Sequence, residues 1–334
     1  MIAAYKKIVT LMLVMTLCLL MLGAWVRLTD AGLGCPDWPG CYGNLLPSNS
    51  KAQIAQAVQA QGGEHGPVSM GKAWREMIHR YLAKALGFVL IIATVIAWLK
   101  RRSLRQSPWF TTALLGVVIL QGLFGMWTVT LKLMPIIVTG HLMGGMLVFA
   151  LLMWLWQRQQ EPAKFIDAEP VAALRFWAAL GLVLVVAQTF LGGWTSTNYA
   201  ALACSDLPTC QAKWWPDMQW QDGFDFTRDL GKTDSGANIS LPALTAMHFM
   251  HRMGAIVVFF YVAWLGQKTL RTPGMAGVGV ALLAALTLQI CLGLSNIIWS
   301  LPLPVAVAHN GGAALLLATL VILNYRSAKA ALRI

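Results

Sequence analysis

The chain has 334 residues, of which 57% are hydrophobic and 11% charged, and a formal net charge of +12. A soluble domain of this size has no means of burying so much apolar surface, so the composition excludes a soluble enzyme and points to an integral membrane protein. The positive charge implies no nucleic-acid partner: it is concentrated beside the apolar runs, where it reports topology and attraction to anionic membrane lipid.

Apolar runs long enough to cross a ~30 Å hydrocarbon layer as helices fall at about 8–26, 76–99, 110–130, 136–157, 173–194, 244–266, 275–297 and 303–324. The sequence therefore predicts an all-α integral membrane protein with eight transmembrane helices. The first run follows Lys6-Lys7 and continues to Arg27 without a small-residue cleavage pattern, so it reads as a retained span and not a signal peptide. Lys6, Lys7, Lys100, Arg101, Arg102, Arg105, Arg158, Lys164, Arg175, Lys268, Arg271, Arg326, Lys329 and Arg333 all fall on one side of such a bundle, opposed there only by Glu161, Asp167 and Glu169. The positive-inside rule makes that side cytoplasmic, with both termini inside and the long loops 27–75 and 195–243 outside. Segments 44–73 and 211–240 are polar and carry no signal for regular structure.

The first span ends in Gly23-Ala24-Trp25 and leads to Cys35-Pro-Asp37-Trp-Pro39-Gly-Cys41; the fifth ends in Gly193-Trp194 and leads to Cys204-Ser-Asp206-Leu-Pro208-Thr-Cys210. Gln121-x-x-x-Gly125 in the third span returns as Gln289-x-x-x-Gly293 in the seventh. Glu76-Met-Ile-His79-Arg80 returns as His248-Phe-Met-His251-Arg252, and each is followed by a second apolar-helix histidine, His141 or His309. Offsets of 168 to 172 residues between these landmarks describe two four-helix units in tandem, 1–160 and 170–334. An even number of spans per unit keeps the orientation, so the repeat is parallel and pseudo-symmetric about an axis along the membrane normal.

Four histidines in apolar helices need a partner, because an unpaired polar ring inside a bilayer is costly. His79 and His141 start from the same surface and reach similar depth, as do His251 and His309, so each unit can present two imidazoles across its interior. Facing histidines in a four-helix bundle suit a six-coordinate heme; helix-to-helix hydrogen bonding is the alternative. Copper or zinc would be left short of protein ligands by two histidines. Gly144 with Gly145, and Gly312 with Gly311, either leave room for a flat macrocycle or serve helix packing. Arg80 and Arg252 either pair with heme propionates or snorkel to the surface. Glu76, opposite His248 in the repeat, places a carboxylate beside one histidine pair only, which suits proton-coupled chemistry at that site; a helix-terminal Glu is the alternative.

The cysteine pairs lie in the outer loops, so disulfides Cys35–Cys41 and Cys204–Cys210 are expected, each a staple of roughly 2 kcal/mol on chain entropy or a dithiol able to cycle. Cys18 and Cys291 lie inside spans and read as core residues.

These residues, Glu76-Met-Ile-His79-Arg80, Gly140-His141, His251-Arg252, Ala308-His309 and the two outer Cys pairs, resemble the heme A synthase family of aerobic bacteria and mitochondria along the whole chain. The resemblance implies eight spans in two pseudo-symmetric halves, a bacterial cytoplasmic (inner) membrane location, and oxidation of the C8 methyl of heme O to the formyl group of heme A for cytochrome c oxidase. It further implies that His251 and His309 ligate a resident heme b, that His79 and His141 bracket the substrate heme O, and that Glu76 is essential. Cys35 with Cys41 is similar to a pair implicated in catalysis, and Cys204 with Cys210 to a structural disulfide. Heme O synthase, oxidase assembly factors and an electron acceptor are the implied partners, and a homo-oligomer is compatible with the pattern. His65 and His248 match no motif. A diheme cytochrome passing electrons from quinol does not need Glu76 in one half only. A transporter would place Gly or Pro breaks at mid-membrane, whereas Pro135 and Pro302 lie at span ends.

Overall fold

The computed structural model describes residues 2–104, 107–160, 168–233 and 235–332. Among them are α1 (Ile2–Leu28), α2 (Lys51–Ala60), α3 (Met70–Leu99), α4 (Pro108–Thr130), α5 (Pro135–Arg158), α6 (Glu169–Ala172), α7 (Arg175–Thr197), α8 (Trp220–Gly223), α9 (Leu241–Arg271), α10 (Ala276–Ile298) and α11 (Leu303–Ala331), with no β-strand. Eight helical segments, α1, α3, α4, α5, α6 with α7, α9, α10 and α11, are long and apolar enough to cross a membrane. The protein is an all-α, multi-pass membrane protein.

Sequence features explain where the long helices begin. Ser69 caps α3 by accepting from Lys72 N–H, and Ser240 caps α9 by accepting from Ala243 N–H. Prolines occupy the first helical turn of α4, α5, α9 and α11, where a missing N–H costs nothing. The capped helices start earlier than their apolar runs: α3 opens six residues before the expected Glu76 and α9 three before Leu244. At 30 and 31 residues they exceed what a ~30 Å core needs, so their first turns stand in the outer loop layer.

In the first half α1 packs on α3, α3 on α4, α4 on α5 and α5 back on α1. The second half repeats this ring with α7 on α9, α9 on α10, α10 on α11 and α11 on α7. The rings meet through α1 with α11, α5 with α7 and α5 with α11, a set of contacts unchanged by exchanging the halves. Asn310 donates to Leu20 carbonyl at 2.8 Å, and the Thr139 and Thr197 hydroxyls meet at 3.0 Å across this seam.

Backbone conformation is consistent with the repeat. Among the described residues, all nine non-glycine residues with positive φ fall into matching positions: Asp30 with Tyr199, Tyr42 with Gln211, Lys132 with Ser300, Leu133 with Leu301, and Ala212 with Gly43. Sterics make that conformation uncommon for L-residues, so its recurrence marks equivalent turns.

Two details differ from the sequence expectations. The loop segment 44–73 contains α2, whose Ile54 is buried and packs with Val58, one turn on, against both cysteines of the first disulfide; a short amphipathic helix on a local core carries too weak a periodicity to stand out. Cys18 and Cys291 are exposed on the outer surface of their spans rather than in the core, where apolar helix faces meet lipid. The topology residues Arg105, Glu161, Lys164, Asp167 and Arg333 lie outside the described residues. At the end of the bundle opposite the disulfide loops, Lys6 Nζ reaches Gln160 Oε1 at 2.5 Å.

Candidate functional site

Helices α3 and α5 sit diagonally in the first ring, and α9 and α11 diagonally in the second. At ~1.5 Å rise per residue, His79 lies about 13 Å along α3 and His141 about 9 Å along α5; with the early start of α3, the rings meet at one depth. Their centroids are 6.5 Å apart and their planes 76° from parallel. Two metal–imidazole bonds of about 2.0–2.1 Å, with half a ring at each end, add to roughly that separation, so His79 and His141 would together hold one metal centre.

The side-chain inventory also fits a heme. Nδ1 of His79, His141 and His309 is buried without a partner, while each of the four histidines as a whole residue is half-buried. Each imidazole lies against a glycine of a neighbouring helix. A methyl group placed on Gly23, Gly125, Gly192 or Gly293 would meet Cε1 of His79, His141, His251 or His309 at 3.3, 3.2, 2.9 and 3.1 Å. Of the two readings left open for the glycines after the second histidines, helix packing is the one their contacts fit: Gly144 faces the Gln121 amide, Gly312 that of Gln289, Gly145 faces Leu20 and Gly311 faces Met21.

Above each pair lies a disulfide loop, and both cysteine pairs are bonded. Asp37 accepts from Tyr42 and Gly43 N–H at 2.5 and 2.9 Å; Asp206 accepts from Gln211 and Ala212 N–H at 2.6 and 3.0 Å. Arg80 and Arg252 reach up from the histidine helices to hold these loops. Arg80 donates to the carbonyls of Asp37 and Gly40 at 2.8 and 2.7 Å and pairs with Glu76. Arg252 donates to those of Thr209, Cys204 and Asp206 at 2.9, 2.7 and 2.9 Å. Glu76 Oε2 accepts the Cys35 N–H at 2.9 Å, which ties the carboxylate directly to the first disulfide. His248 does the same in the second half, Nδ1 accepting from Cys204 N–H at 3.1 Å. His65 is exposed in the outer loop, away from this arrangement.

The structure adds one residue the sequence reading passed over. Gln188 of α7 lies 2.9 Å from His251 Nδ1 and donates to His251 carbonyl at 2.8 Å. Its signal was present: Gln188-x-x-x-Gly192 repeats the pattern of Gln121-x-x-x-Gly125 and Gln289-x-x-x-Gly293.

Fold and site define a multi-pass α-helical membrane protein with interior histidine pairs under disulfide-closed outer loops. The chain belongs to the family described as cytochrome oxidase assembly protein, which matches residues 6–321. It is similar to the heme A synthase of Shewanella oneidensis, 39% identical over 314 residues that cover 94% of this chain and 93% of the relative. It is also similar to the heme A synthases of Allorhizobium ampelinum, 27% identical over 90% of this chain and 84% of the relative, and of Caulobacter vibrioides, 26% identical over 93% and 92%.

Proposed function

We infer that this chain is a heme A synthase, an enzyme that oxidises the C8 methyl of heme O to the formyl group of heme A. The family membership supports this reading, and the observation that carries it is the His79–His141 pair, 6.5 Å between ring centroids, with Glu76 three residues before His79 on the same helix. In this reading the half 1–160 binds heme O through His79 and His141, and the half 170–334 holds heme b through His251 and His309. Heme b supplies a one-electron redox centre. The electron acceptor lies elsewhere, and heme O synthase and oxidase assembly factors are the natural donors and recipients of the pigment.

Turning a methyl into a formyl group adds oxygen and releases protons as well as electrons, so a base must stand near the substrate. Glu76 is buried, and its Oε1 is paired with Arg80. It can take a proton there because Arg80, once released, keeps its bonds to Asp37 and Gly40 carbonyls. His248, at the same place in the other half, is committed to Cys204 and brings no carboxylate. Cys35–Cys41, bonded to Glu76 through the Cys35 N–H, stands next to this base; Cys204–Cys210 acts as a staple. The Nε of Arg252 is buried without a partner and is the donor left for a heme propionate, a role Arg80 takes in the substrate half. The chain would lie in the bacterial inner membrane with both termini cytoplasmic.

The test is selective pigment loss. His251→Ala or His309→Ala removes the resident heme b spectrum while heme O still binds; His79→Ala or His141→Ala does the reverse. Full heme b content in both His251→Ala and His309→Ala would refute the assignment of halves.

A further inference from the structure

Three of the four histidines are held by a glutamine on the helix beside them, and the fourth is not. Gln188 contacts the His251 ring and carbonyl at 2.9 and 2.8 Å, Gln289 lies 3.3 Å from His309 Nε2, and Gln121 donates to His141 carbonyl. Each glutamine precedes by four residues the glycine that faces the same imidazole. Each amide also sits over a glycine three residues after its histidine, Gly254, Gly312 or Gly144, where a methyl group would overlap the glutamine Oε1. The motif is thus Gln-x-x-x-Gly on one helix locked into His-x-x-Gly on the next.

At His79 both ends of this lock are replaced. Gly23 still faces the ring, but Leu19 stands four residues before it, and Leu82, not glycine, follows His79 by three. Leu19 is in the apolar core and Leu82 packs against it; His79 Nδ1, like that of His141 and His309, is buried with no partner, so what distinguishes His79 is the missing glutamine and glycine. An amide and its glycine have been exchanged together for two leucines, at one of four equivalent places.

We propose that Gln188 and Gln289 are positioning residues that hold the rings of His251 and His309, that Gln121 holds only the backbone of His141, and that Leu19 with Leu82 leaves His79 without either hold, as the ligand that releases. The proposal rests on the reading that both histidine pairs bind heme. A clamped imidazole keeps its ring orientation when the iron leaves and recaptures it; outer-shell partners of this kind are worth roughly 10–100-fold in metal affinity. An unclamped imidazole lets the iron go, as a site must that admits one heme and discharges another. The retained heme is then the one in the half where both histidines carry a ring-directed glutamine.

The experiment follows transfer of hemin from the loaded, detergent-purified protein to excess apomyoglobin by absorbance, with no turnover involved. The parent protein should lose hemin in two phases, the fast one disappearing in His79→Ala. Leu19→Gln with Leu82→Gly should slow the fast phase roughly 10–100-fold, and Gln188→Leu with Gly254→Leu should accelerate the slow phase similarly. Melting temperature and hemin stoichiometry identify folded variants, and the single changes Leu19→Gln and Gln188→Leu serve if a double variant does not fold. Unchanged rates in folded variants overturn the clamp while leaving the heme reading intact. Failure of the parent protein to bind hemin at either pair overturns the heme reading itself.

Discussion

Glu76 and His248 do the same structural work in the two halves: each accepts the backbone N–H of the first cysteine of its outer loop, Cys35 at 2.9 Å and Cys204 at 3.1 Å. Chemically they differ, because only Glu76 can carry a negative charge and it is paired with Arg80. Under the proposed function the second half keeps the anchoring contact and lacks the carboxylate that the first half would use as a base.

Glu76→Gln keeps an oxygen for the Cys35 N–H and removes the titratable group. Heme O should still bind while heme A formation falls at least 100-fold, within the usual range for loss of a general base, with a hydroxylated intermediate accumulating. His248→Gln should disturb the second loop and leave turnover within a few-fold. Extracted pigments, separated and weighed by mass spectrometry, decide this; normal heme A output from Glu76→Gln returns Glu76 to an anchoring role alone.

Arg80→Lys retains the charge and loses the fork that spans the Asp37 and Gly40 carbonyls. A stability loss of roughly 1.5–3 kcal/mol is expected for losing charge-assisted hydrogen bonds from this buried set, read as a lower midpoint of unfolding in detergent. An unchanged midpoint would mean that the loop is held by its disulfide alone.

Both loop disulfides should be found oxidised by alkylation and mass mapping of protein isolated from the membrane. Cys204→Ala should lower stability by roughly 2 kcal/mol and leave chemistry largely intact, whereas Cys35→Ala, next to Glu76, should reduce heme A formation more than stability. The opposite ranking would reverse the roles of the two bonds.

Asp206 supplies a pH test outside the membrane. Its carboxylate is held down at about 2 chiefly by the Thr209 hydroxyl, which outweighs the opposing effect of desolvation, with the N–H groups of Ala212 and Gln211 adding to the lowering. A depressed folded-state value means that its stabilisation is complete above the usual carboxylate range, about 4, and is lost as pH falls toward 2. The second loop should keep its protection from hydrogen exchange between pH 7 and 4, and Asp206→Asn should abolish that protection at every pH. Loss of protection near pH 5 in the parent protein would contradict this assignment.

Much of the architecture was legible because bilayer solvation imposes long apolar runs, and the tandem offsets survive in Trp25 with Trp194 and His141 with His309. The four histidines stood out for the same reason, as polar rings in apolar surroundings. Helix starts were less legible: Lys72 and Arg75 obscure the first turns of α3, which the Ser69 cap defines. The partners of Arg80 and Arg252 are carbonyls some 40 to 48 residues away in sequence, and no local pattern encodes such contacts. The repeat does not single out Gln188, because its counterpart in the first half is Leu19.

The most direct measurement of the account is the pigment made by the chain itself. The protein is expressed in cells that produce heme O and lack any other source of heme A, and total hemes are extracted and identified by mass. The account predicts heme A, recognised by the gain of one oxygen and loss of two hydrogens relative to heme O, with parent protein and its absence with Glu76→Gln and with His79→Ala. Heme O recovered unchanged from cells containing folded, heme-loaded parent protein would contradict it.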